Sequence, residues 1–321
     1  MVGGVKKVLV LGGTGCIGAY LVEKLIKRNY AVDAVTLEAV KSENPKLRYL
    51  QKNAMDECVL KELLQTKYDA IVDFMWYDSS QFALRAKRLL ENTEHYIALS
   101  SYRVYAESAS PLNEQSERLL ERITDEKFLN SDDYAQAKCR IEDWLKTSAY
   151  RNWTIVRPVV VYGGERLPVV ATSFSEIQQK LDKNVKISIP KLAMDKTAAV
   201  VWAGDVAEMI ARLLFKAEAY GETYLLGSSE QVTWREICGY YTQILGVNWE
   251  EVATEEFFQE IYGNPNTGFD ADWAWIYLYD RFYDRKIDNF KVLKATGLEQ
   301  KDLKSPKAAL EYELRRKHEK N

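Results

Sequence analysis

Three side chains of this sequence could together move a proton: Ser101, Tyr134 and Lys138. A free tyrosine has a pKa of about 10, so a tyrosine alone is a poor acid or base at neutral pH. Tyr134 and Lys138 are four residues apart at the start of a predicted helix, which puts both on one face, where the ammonium favours the phenolate. A serine at the end of the preceding strand could hold a substrate hydroxyl or carbonyl in line with the phenol. The three residues therefore predict acid–base chemistry at an alcohol or carbonyl carbon.

A glycine-rich turn near the N-terminus could bind a dinucleotide that carries a hydride for this chemistry. The apolar run at 8–11 predicts a strand buried on both faces, and residues 17–26 repeat apolar side chains at helical spacing. The turn between them contains Gly12, Gly13, Thr14, Gly15, Cys16, Ile17 and Gly18. Glycine allows a tight turn and a close backbone approach, and the N–H groups and dipole of the next helix hold a diphosphate. This layout predicts dinucleotide binding.

The end of the second predicted strand, 31–37, contains the candidates for the adenosine ribose. Glu38 follows Gly18 by 20 residues, about where an acidic side chain binds the ribose hydroxyls. Thr36 is the other candidate if the strand ends there. No arginine at 36–38 could neutralise a 2′-phosphate, which favours NAD over NADP, while Lys41 leaves NADP open.

Strands and helices alternate around these motifs. From residue 5 to 100, short apolar runs alternate with helical patterns, which predicts a parallel, doubly wound sheet. After residue 165 this alternation weakens. We therefore expect an α/β, Rossmann-type domain over 1–165, rejoined by 198–227, and a smaller, interleaved C-terminal substrate lobe formed mostly by 166–321.

Composition and charge exclude several classes of protein. The net charge is −3, the pI is about 5.7, and no block of lysine and arginine stands out, so a general nucleic-acid binder is not expected. Four widely spaced cysteines and two histidines form no metal-ligand pattern and are typical of free thiols in a reducing cytosol. No apolar run is long enough for a membrane span. We expect a cytoplasmic protein without a structural metal.

The motifs resemble those of the short-chain dehydrogenase/reductase superfamily, in its extended NAD-dependent epimerase/dehydratase branch. The similar segments run through most of the chain and are 12–18, 100–105, 134–138, 157–163 and 202–207. The resemblance implies that Tyr134 is the acid and base, that Lys138 binds the nicotinamide ribose, and that Ser101 orients the substrate. It also implies further cofactor contacts, namely Asn53 and Ala54 near the adenine, Phe74 and Met75 after the fourth strand, and Pro158.

The chain departs from this branch at four places. Bulky residues, Phe74-Met75-Trp76, stand where small ones usually meet the cofactor, and Thr36 stands where NAD-specific members carry an aspartate. Tyr102-Arg103 replaces the acidic pair that sugar-nucleotide dehydratases use for elimination, and no asparagine follows Arg157 as in nucleotide-sugar epimerases. These departures indicate a divergent member, similar also to atypical members related to chloroplast stem-loop RNA-binding proteins, with dehydration the least expected reaction.

The sequence therefore predicts an NAD(P)-dependent oxidoreductase or epimerase of a sugar-like, nucleotide-sugar or other carbonyl or alcohol substrate. Tyr102, Arg157 and Arg166 are candidate substrate contacts. The alternative is a non-catalytic NAD(P)-binding protein that acts as a sensor or as an RNA- or protein-binding module. The resemblance also implies a possible homodimer through helices of the sheet domain.

Overall fold

The computed structural model describes residues 4–265 and 274–318. The strands within these residues are β1 (Lys7–Leu11), β2 (Ala31–Thr36), β3 (Leu47–Gln51), β4 (Tyr68–Asp73), β5 (Thr93–Leu99), β6 (Trp153–Pro158), β7 (Val160–Tyr162), β8 (Ile187–Pro190), β9 (Thr197–Ala198), β10 (Val200–Trp202), β11 (Glu222–Leu226), β12 (Val232–Thr233) and β13 (Trp249–Val252). The helices are α1 (Gly18–Lys27), α2 (Glu57–Leu63), α3 (Ser79–Glu91), α4 (Leu119–Arg122), α5 (Glu126–Asn130), α6 (Tyr134–Thr147), α7 (Phe174–Asp182), α8 (Lys191–Met194), α9 (Ala203–Leu213), α10 (Trp234–Leu245), α11 (Thr254–Tyr262), α12 (Phe290–Thr296) and α13 (Pro306–His318).

A seven-stranded sheet forms the centre of the molecule, in the order β11-β6-β5-β4-β1-β2-β3. All six pairs of neighbouring strands are parallel. The order reverses direction between β1 and β4, so ligands are expected in the crevice at the carboxyl ends of these strands. This sheet confirms the prediction of an α/β, Rossmann-type, doubly wound fold.

Helices cover both faces of the sheet because its inner strands are apolar on both sides. In β1, Val8 and Val10 belong to one core cluster and Leu9 and Leu11 to the other, and all four side chains are fully buried. Helices α1 and α9 pack together on the first face, and α3 and α6 pack together on the second. Alternate side chains of one strand point to opposite faces, so the unbroken apolar run at 8–11 is what a doubly covered strand requires.

The chain after β6 contributes to two regions. Strand β11 forms the edge of the central sheet beside β6, and α9 packs against α1, so part of this segment lies in the sheet layer. The short pairs β7–β10, β8–β13 and β9–β12 lie outside the central sheet. No helix among the described residues is long and apolar enough to cross a bilayer.

Candidate active site

A cavity of about 370 Å³ lies beside the carboxyl ends of β1, β4, β5 and β6. Many of the residues singled out in the sequence line it: Gly12, Gly15, Cys16, Ile17, Gly18, Phe74, Ser101, Tyr102, Tyr134, Pro158 and Arg166. The fold thus brings the glycine turn, the serine and the tyrosine, which are spread over more than a hundred residues of sequence, to one cavity.

The glycine turn is closed by backbone contacts that exclude side chains. The amides of Gly12 and Gly13 both donate to the carbonyl of Val35 at the end of β2, over 3.1 and 2.9 Å. A Cβ on Gly13 would lie 2.6 Å from the Cβ of Ala34, and a Cβ on Gly18 would overlap the carbonyl oxygen of Gly12. Gly12 itself has φ +86°, in the region that favours glycine. The turn therefore needs glycine at these positions for steric reasons.

The N-terminus of α1 fits a diphosphate. Helix α1 begins at Gly18, no side chain caps it, and its first turn contains no acidic residue. The first N–H groups of a helix lack intrahelical acceptors, and the dipole adds positive charge at this end. With Gly15 and Cys16 lining the cavity at the same place, the residues present fit the diphosphate of a dinucleotide.

The residues expected near the adenosine ribose lie next to the glycine turn but outside the cavity lining. Strand β2 ends at Thr36, whose hydroxyl is 2.6 Å from that of Thr14 and accepts the Glu38 amide over 3.1 Å. The side chain of Glu38 is exposed. Thr36 therefore holds the turn to the strand end, and the carboxylate of Glu38 is free to contact a ligand.

The two residues expected near the adenine follow β3. Asn53 is exposed and its side-chain oxygen accepts the amide of Met55 over 3.0 Å. Ala54 is buried, and its carbonyl accepts from the guanidinium of Arg85 over 2.5 Å. Neither residue lines the cavity described above.

The bulky side chains at 74–76, after β4, lie in three different surroundings. Phe74 lines the main cavity, whereas Met75 lines a smaller neighbouring one and approaches Gly12 only with its sulfur, 3.8 Å from an idealised Cβ there. Trp76 is 50% exposed. Of these three side chains, only Phe74 borders the space beside the glycine turn, so the indole does not obstruct it.

Ser101 and Tyr134 face the main cavity from two different elements. Ser101 follows β5, is buried, and its hydroxyl oxygen accepts the amide of Arg103 over 3.2 Å, which leaves the hydroxyl hydrogen for another acceptor. Tyr134 is the first residue of α6, which Asp133 caps by accepting the amide of Ala135 over 2.9 Å. A hydroxyl donor and a phenol therefore line the same cavity, as proton transfer to a substrate oxygen requires.

Lys138 lies one turn further along α6, in a cavity of about 10 Å³ that shares Leu99 with the main one. Its Nζ donates to the carbonyl of Leu99 over 2.7 Å and is 5.7 Å from the centre of the Tyr134 ring. Burial lowers the pKa of Lys138 to about 8, although the nearby charges of Asp73 and Glu142 oppose this shift. The lysine is thus a buried, titratable neighbour of the tyrosine.

The carboxyl group of Asp73, at the end of β4, lies in the same small cavity as Lys138. It accepts hydrogen bonds from the hydroxyls of Tyr77 and Tyr96 and from the amide of Met75, over 2.9–3.2 Å. Burial raises the pKa of Asp73 despite these hydrogen bonds. The small cavity therefore buries a carboxyl group, Asp73, and an amine, Lys138, next to the main cavity.

The structure places one candidate substrate contact, Arg157, outside the cavity lining. Arg157 is 1% exposed and pairs through Nε and Nη2 with Glu142 on α6, and its Nη1 donates to the hydroxyl of Tyr105 over 2.6 Å. This guanidinium holds β6 to α6 and does not line the cavity. Tyr102 and Arg166 do line it, Tyr102 buried and Arg166 exposed.

Several residues of the cavity lining were not candidates from the sequence, and Arg103, Ile276 and Arg281 are among them. Arg103 was noted only as a departure from the acidic pair, and Ile276 and Arg281 belong to an aromatic-rich segment that gave no motif. The one available signal was the pair Asp280-Arg281 among apolar neighbours, because charges in such a stretch are commonly buried as pairs. Their position against the sheet domain depends on tertiary packing.

Comparison with protein families gives one match over most of the chain. The sequence profile of the NAD-dependent epimerase/dehydratase family matches residues 8–227. This segment contains every element of the central sheet except Lys7 of β1, and it contains the glycine turn, Ser101, Tyr134 and Lys138. No curated protein sequence matches the chain.

Solved structures share the whole fold at low sequence identity. A UDP-glucose 4-epimerase from Thermotoga maritima with UDP-glucose is 18% identical, with a TM-score of 0.69 over 98% of this chain and 99% of that one. A UDP-glucuronic acid 4-epimerase from Bacillus cereus, in complex with UDP-glucuronic acid and NAD, is 17% identical (TM-score 0.67; 96% and 97% covered). A dTDP-glucose 4,6-dehydratase from Bacillus anthracis in complex with NAD is 14% identical (TM-score 0.70; 97% and 96% covered). At these identities the likeness establishes the fold.

Proposed function

Because this chain belongs to the NAD-dependent epimerase/dehydratase family, we propose that it is an NAD-dependent oxidoreductase or epimerase acting on a sugar-like substrate. The observation that carries the proposal is that Ser101, Tyr134 and the N-terminus of α1 line one cavity. A proton donor and acceptor thereby stand beside a diphosphate site, which is the arrangement that hydride transfer at a carbinol carbon needs.

The glycine turn and the N-terminus of α1 are the proposed cofactor site. The backbone from Gly12 to Gly18 would hold the diphosphate, and Glu38, with Thr36 beside it, would meet the adenosine ribose. Asn53 and Ala54 are proposed near the adenine, and Phe74 and Pro158 border the inner part of the site. When bound there, NAD accepts and returns a hydride.

Tyr134 is the proposed acid and base. As the carbon is oxidised, the phenolate of Tyr134 would take the proton of the substrate hydroxyl, and on reduction the resulting phenol would return that proton. Ser101 donates its hydroxyl hydrogen to the same substrate oxygen, which fixes that oxygen beside the phenol. Lys138, whose Nζ is 5.7 Å from the centre of the Tyr134 ring, is the proposed partner of the nicotinamide ribose.

The substrate class that we propose is a nucleotide sugar. The solved structures of this fold include enzymes of UDP-glucose and UDP-glucuronic acid. Residues 166–321, apart from the segment 198–227 that rejoins the sheet domain, are the proposed substrate lobe, and Arg166 at the cavity wall is positioned to contact a phosphate. Tyr102 is the second proposed contact.

Dehydration is the least expected reaction of this site. Elimination needs a carboxylic acid near the leaving hydroxyl, and the described residues that line the cavity include no aspartate or glutamate. Tyr102 and Arg103 occupy the positions after Ser101 where such acids would stand. Epimerisation and simple oxidation or reduction need only the tyrosine, the serine and the cofactor.

The test is a pair of tyrosine variants assayed with NAD and with each of two candidate substrates, UDP-glucose and UDP-glucuronic acid. Tyr134→Phe should bind NAD as the unsubstituted protein does and lose turnover by about 10²–10⁴-fold, since general acid–base catalysis contributes that much. Tyr240→Phe, half-buried on α10 and outside the cavity, is the matched control and should keep full turnover. Turnover that survives Tyr134→Phe would refute the assignment of this residue.

A further inference from the structure

The cavity wall beside Tyr134 carries an excess of positive charge. Arg103, Arg166 and Arg281 line the cavity, whereas no carboxylate is among its described lining residues. Guanidinium groups repel one another, and each loses hydration when it is partly buried. An anionic ligand would relieve both costs, so this wall is built to receive negative charge.

The carboxylate of Asp280, next to this wall, is already shared by two arginines. Asp280 is buried and accepts from Nη1 of Arg281, from Nε of Arg285 over 3.1 Å and from the hydroxyl of Tyr102 over 2.6 Å. Two buried guanidiniums thus share one carboxylate. Burial lowers the pKa of Arg281 and of Arg285, and the charge of Arg103 adds to both shifts. Net positive charge therefore remains at the wall.

Arg103 lies beside Tyr134, the proposed reacting group. Its guanidinium carbon is 5.5 Å from the centre of the Tyr134 ring, and its side chain is 12% exposed. The Nε atom is buried without a hydrogen-bond partner, and the carboxylate of Asp133 is 3.7 Å away and also caps α6 through the amide of Ala135. Arg103 is consequently neutralised only in part by the protein.

We propose that Arg103, with Arg281 beside it, binds a carboxylate that the substrate carries next to the carbon reacting at Tyr134. The substrate of this enzyme is then a sugar acid, as the nucleotide derivative, rather than a neutral sugar. This inference rests on the proposed function in taking Tyr134 as the reacting group. A guanidinium presents parallel N–H donors that match the two oxygens of a carboxylate, which a neutral hydroxymethyl group cannot use in the same way.

The position of Arg103 separates this carboxylate from a diphosphate. The guanidinium carbon of Arg103 is 5.5 Å from the centre of the Tyr134 ring, so an anion bound to Arg103 would lie beside the residue at which the sugar is proposed to react. The diphosphate of a nucleotide sugar is several bonds away from the reacting carbon, and we assign it to Arg166, an exposed residue of the cavity lining. Substitution of Arg103 and substitution of Arg166 should therefore have different effects on the relative affinities of two ligands that differ only in the carboxylate.

The experiment compares UDP-glucuronic acid with UDP-glucose, which share the diphosphate and differ in a carboxylate against a hydroxymethyl group. Dissociation constants are measured by calorimetry on the full chain in the presence of saturating NAD. The unsubstituted protein should bind UDP-glucuronic acid about 10- to 100-fold more tightly, which is what a charge-assisted hydrogen bond supplies. Arg103→Gln should remove most of this preference and leave UDP-glucose binding within about threefold, while Arg103→Lys should retain part of it.

Arg166→Gln is the matched control, because it removes a different guanidinium from the same cavity. It should weaken both ligands alike and preserve their ratio. Equal affinities in the unsubstituted protein, or a preference that survives Arg103→Gln in a protein with an unchanged melting temperature, would overturn the proposal.

If neither nucleotide sugar binds, the nucleotide-sugar part of the proposed function fails. The affinities for D-glucuronate and D-glucose, measured in the same way, then test the carboxylate site. No preference for D-glucuronate in that pair also overturns it. Because every readout is an affinity, loss or survival of turnover in Tyr134→Phe tests the proposed mechanism separately.

Discussion

Glu142 of α6 and Arg157 of β6 form an ion pair that is closed to solvent, with their side chains 0% and 1% exposed. The hydroxyl of Ser100 donates to the same carboxylate over 2.6 Å, and Lys146 lies 3.1 Å from its other oxygen. The pair fixes α6 against the strand that follows it and so sets the position of Tyr134 at the helix start. Its role is to hold this part of the cavity lining in place.

Breaking this pair from one side should strongly destabilise the protein. Arg157→Met should lower the free energy of unfolding by about 3–5 kcal/mol, since the carboxylate of Glu142 stays buried without its main partner. Replacing both residues by methionine should recover most of the loss. Urea unfolding measures each variant, with Lys186→Met, from the exposed pair with Glu250, as a control that should cost under about 1 kcal/mol. A loss in Arg157→Met no larger than in this control would contradict the prediction.

The glycine turn should not tolerate a methyl group at Gly18. Gly18→Ala should lower both the melting temperature and the affinity for NAD, because its Cβ would overlap backbone atoms of Gly12 that cannot move without opening the turn. Gly239→Ala is the control, in the interior of α10 with no heavy atom within 4 Å of the new Cβ. It should stabilise the protein by about 0.5–1 kcal/mol, as alanine does in a helix. Thermal unfolding should therefore show a lower melting temperature for Gly18→Ala and a higher one for Gly239→Ala. NAD titration should show weaker binding for Gly18→Ala.

NAD affinity should fall as the pH rises above about 8. Lys138 has a pKa of about 8 because it is buried, so its ammonium, which we propose to bind the ribose, loses its proton in this range. If only the charged form binds well, the dissociation constant should rise by about tenfold per pH unit above the pKa. Calorimetry from pH 6.5 to 9.5 measures this, and Lys138→Met should bind more weakly with no such slope. A flat profile in the unsubstituted protein would show that Lys138 does not contact NAD.

The same lysine affects stability with the opposite sign. Its pKa is lower in the folded protein than the usual value of about 10.4, so the unfolded chain binds more protons between these two values. The free energy of unfolding should therefore gain a contribution that rises with pH from about 8 to 10.4. Chemical denaturation of the unsubstituted protein and of Lys138→Met across this range isolates the contribution as their difference.

Glu38 should set the preference for NAD over NADP. Its exposed carboxylate follows the end of β2, where it can accept from ribose hydroxyls and repel a 2′-phosphate. Glu38→Gln should weaken NAD and strengthen NADP, each by several-fold, and Glu43→Gln, exposed on the same loop, should change neither. Titration with both cofactors measures the ratio, and a ratio that Glu38→Gln leaves unchanged would assign the selection to another residue.

The local sequence determined the frame of the site because each part of it is a short-range pattern. The apolar run at 8–11, the glycines that follow and the helical repeat after them fix a strand, a tight turn and an uncapped helix from neighbouring residues alone. Tyr134 and Lys138 share a helix, so their spacing of four fixes their relation. The parallel, doubly wound sheet followed from the alternation of strands and helices.

The tertiary structure decided what stands on the cavity wall, because those contacts join residues far apart in sequence. From the sequence alone, the side chain of Arg157 could face either a ligand or the core. It lies in the core because Glu142 of α6 packs against it and pairs with it. Arg281 comes from a segment more than a hundred residues after Tyr134, and no local pattern places it in the same cavity. A side chain at the end of a strand has its position set by that strand, but its partners, and hence its charge and its chemistry, are set by what packs against it.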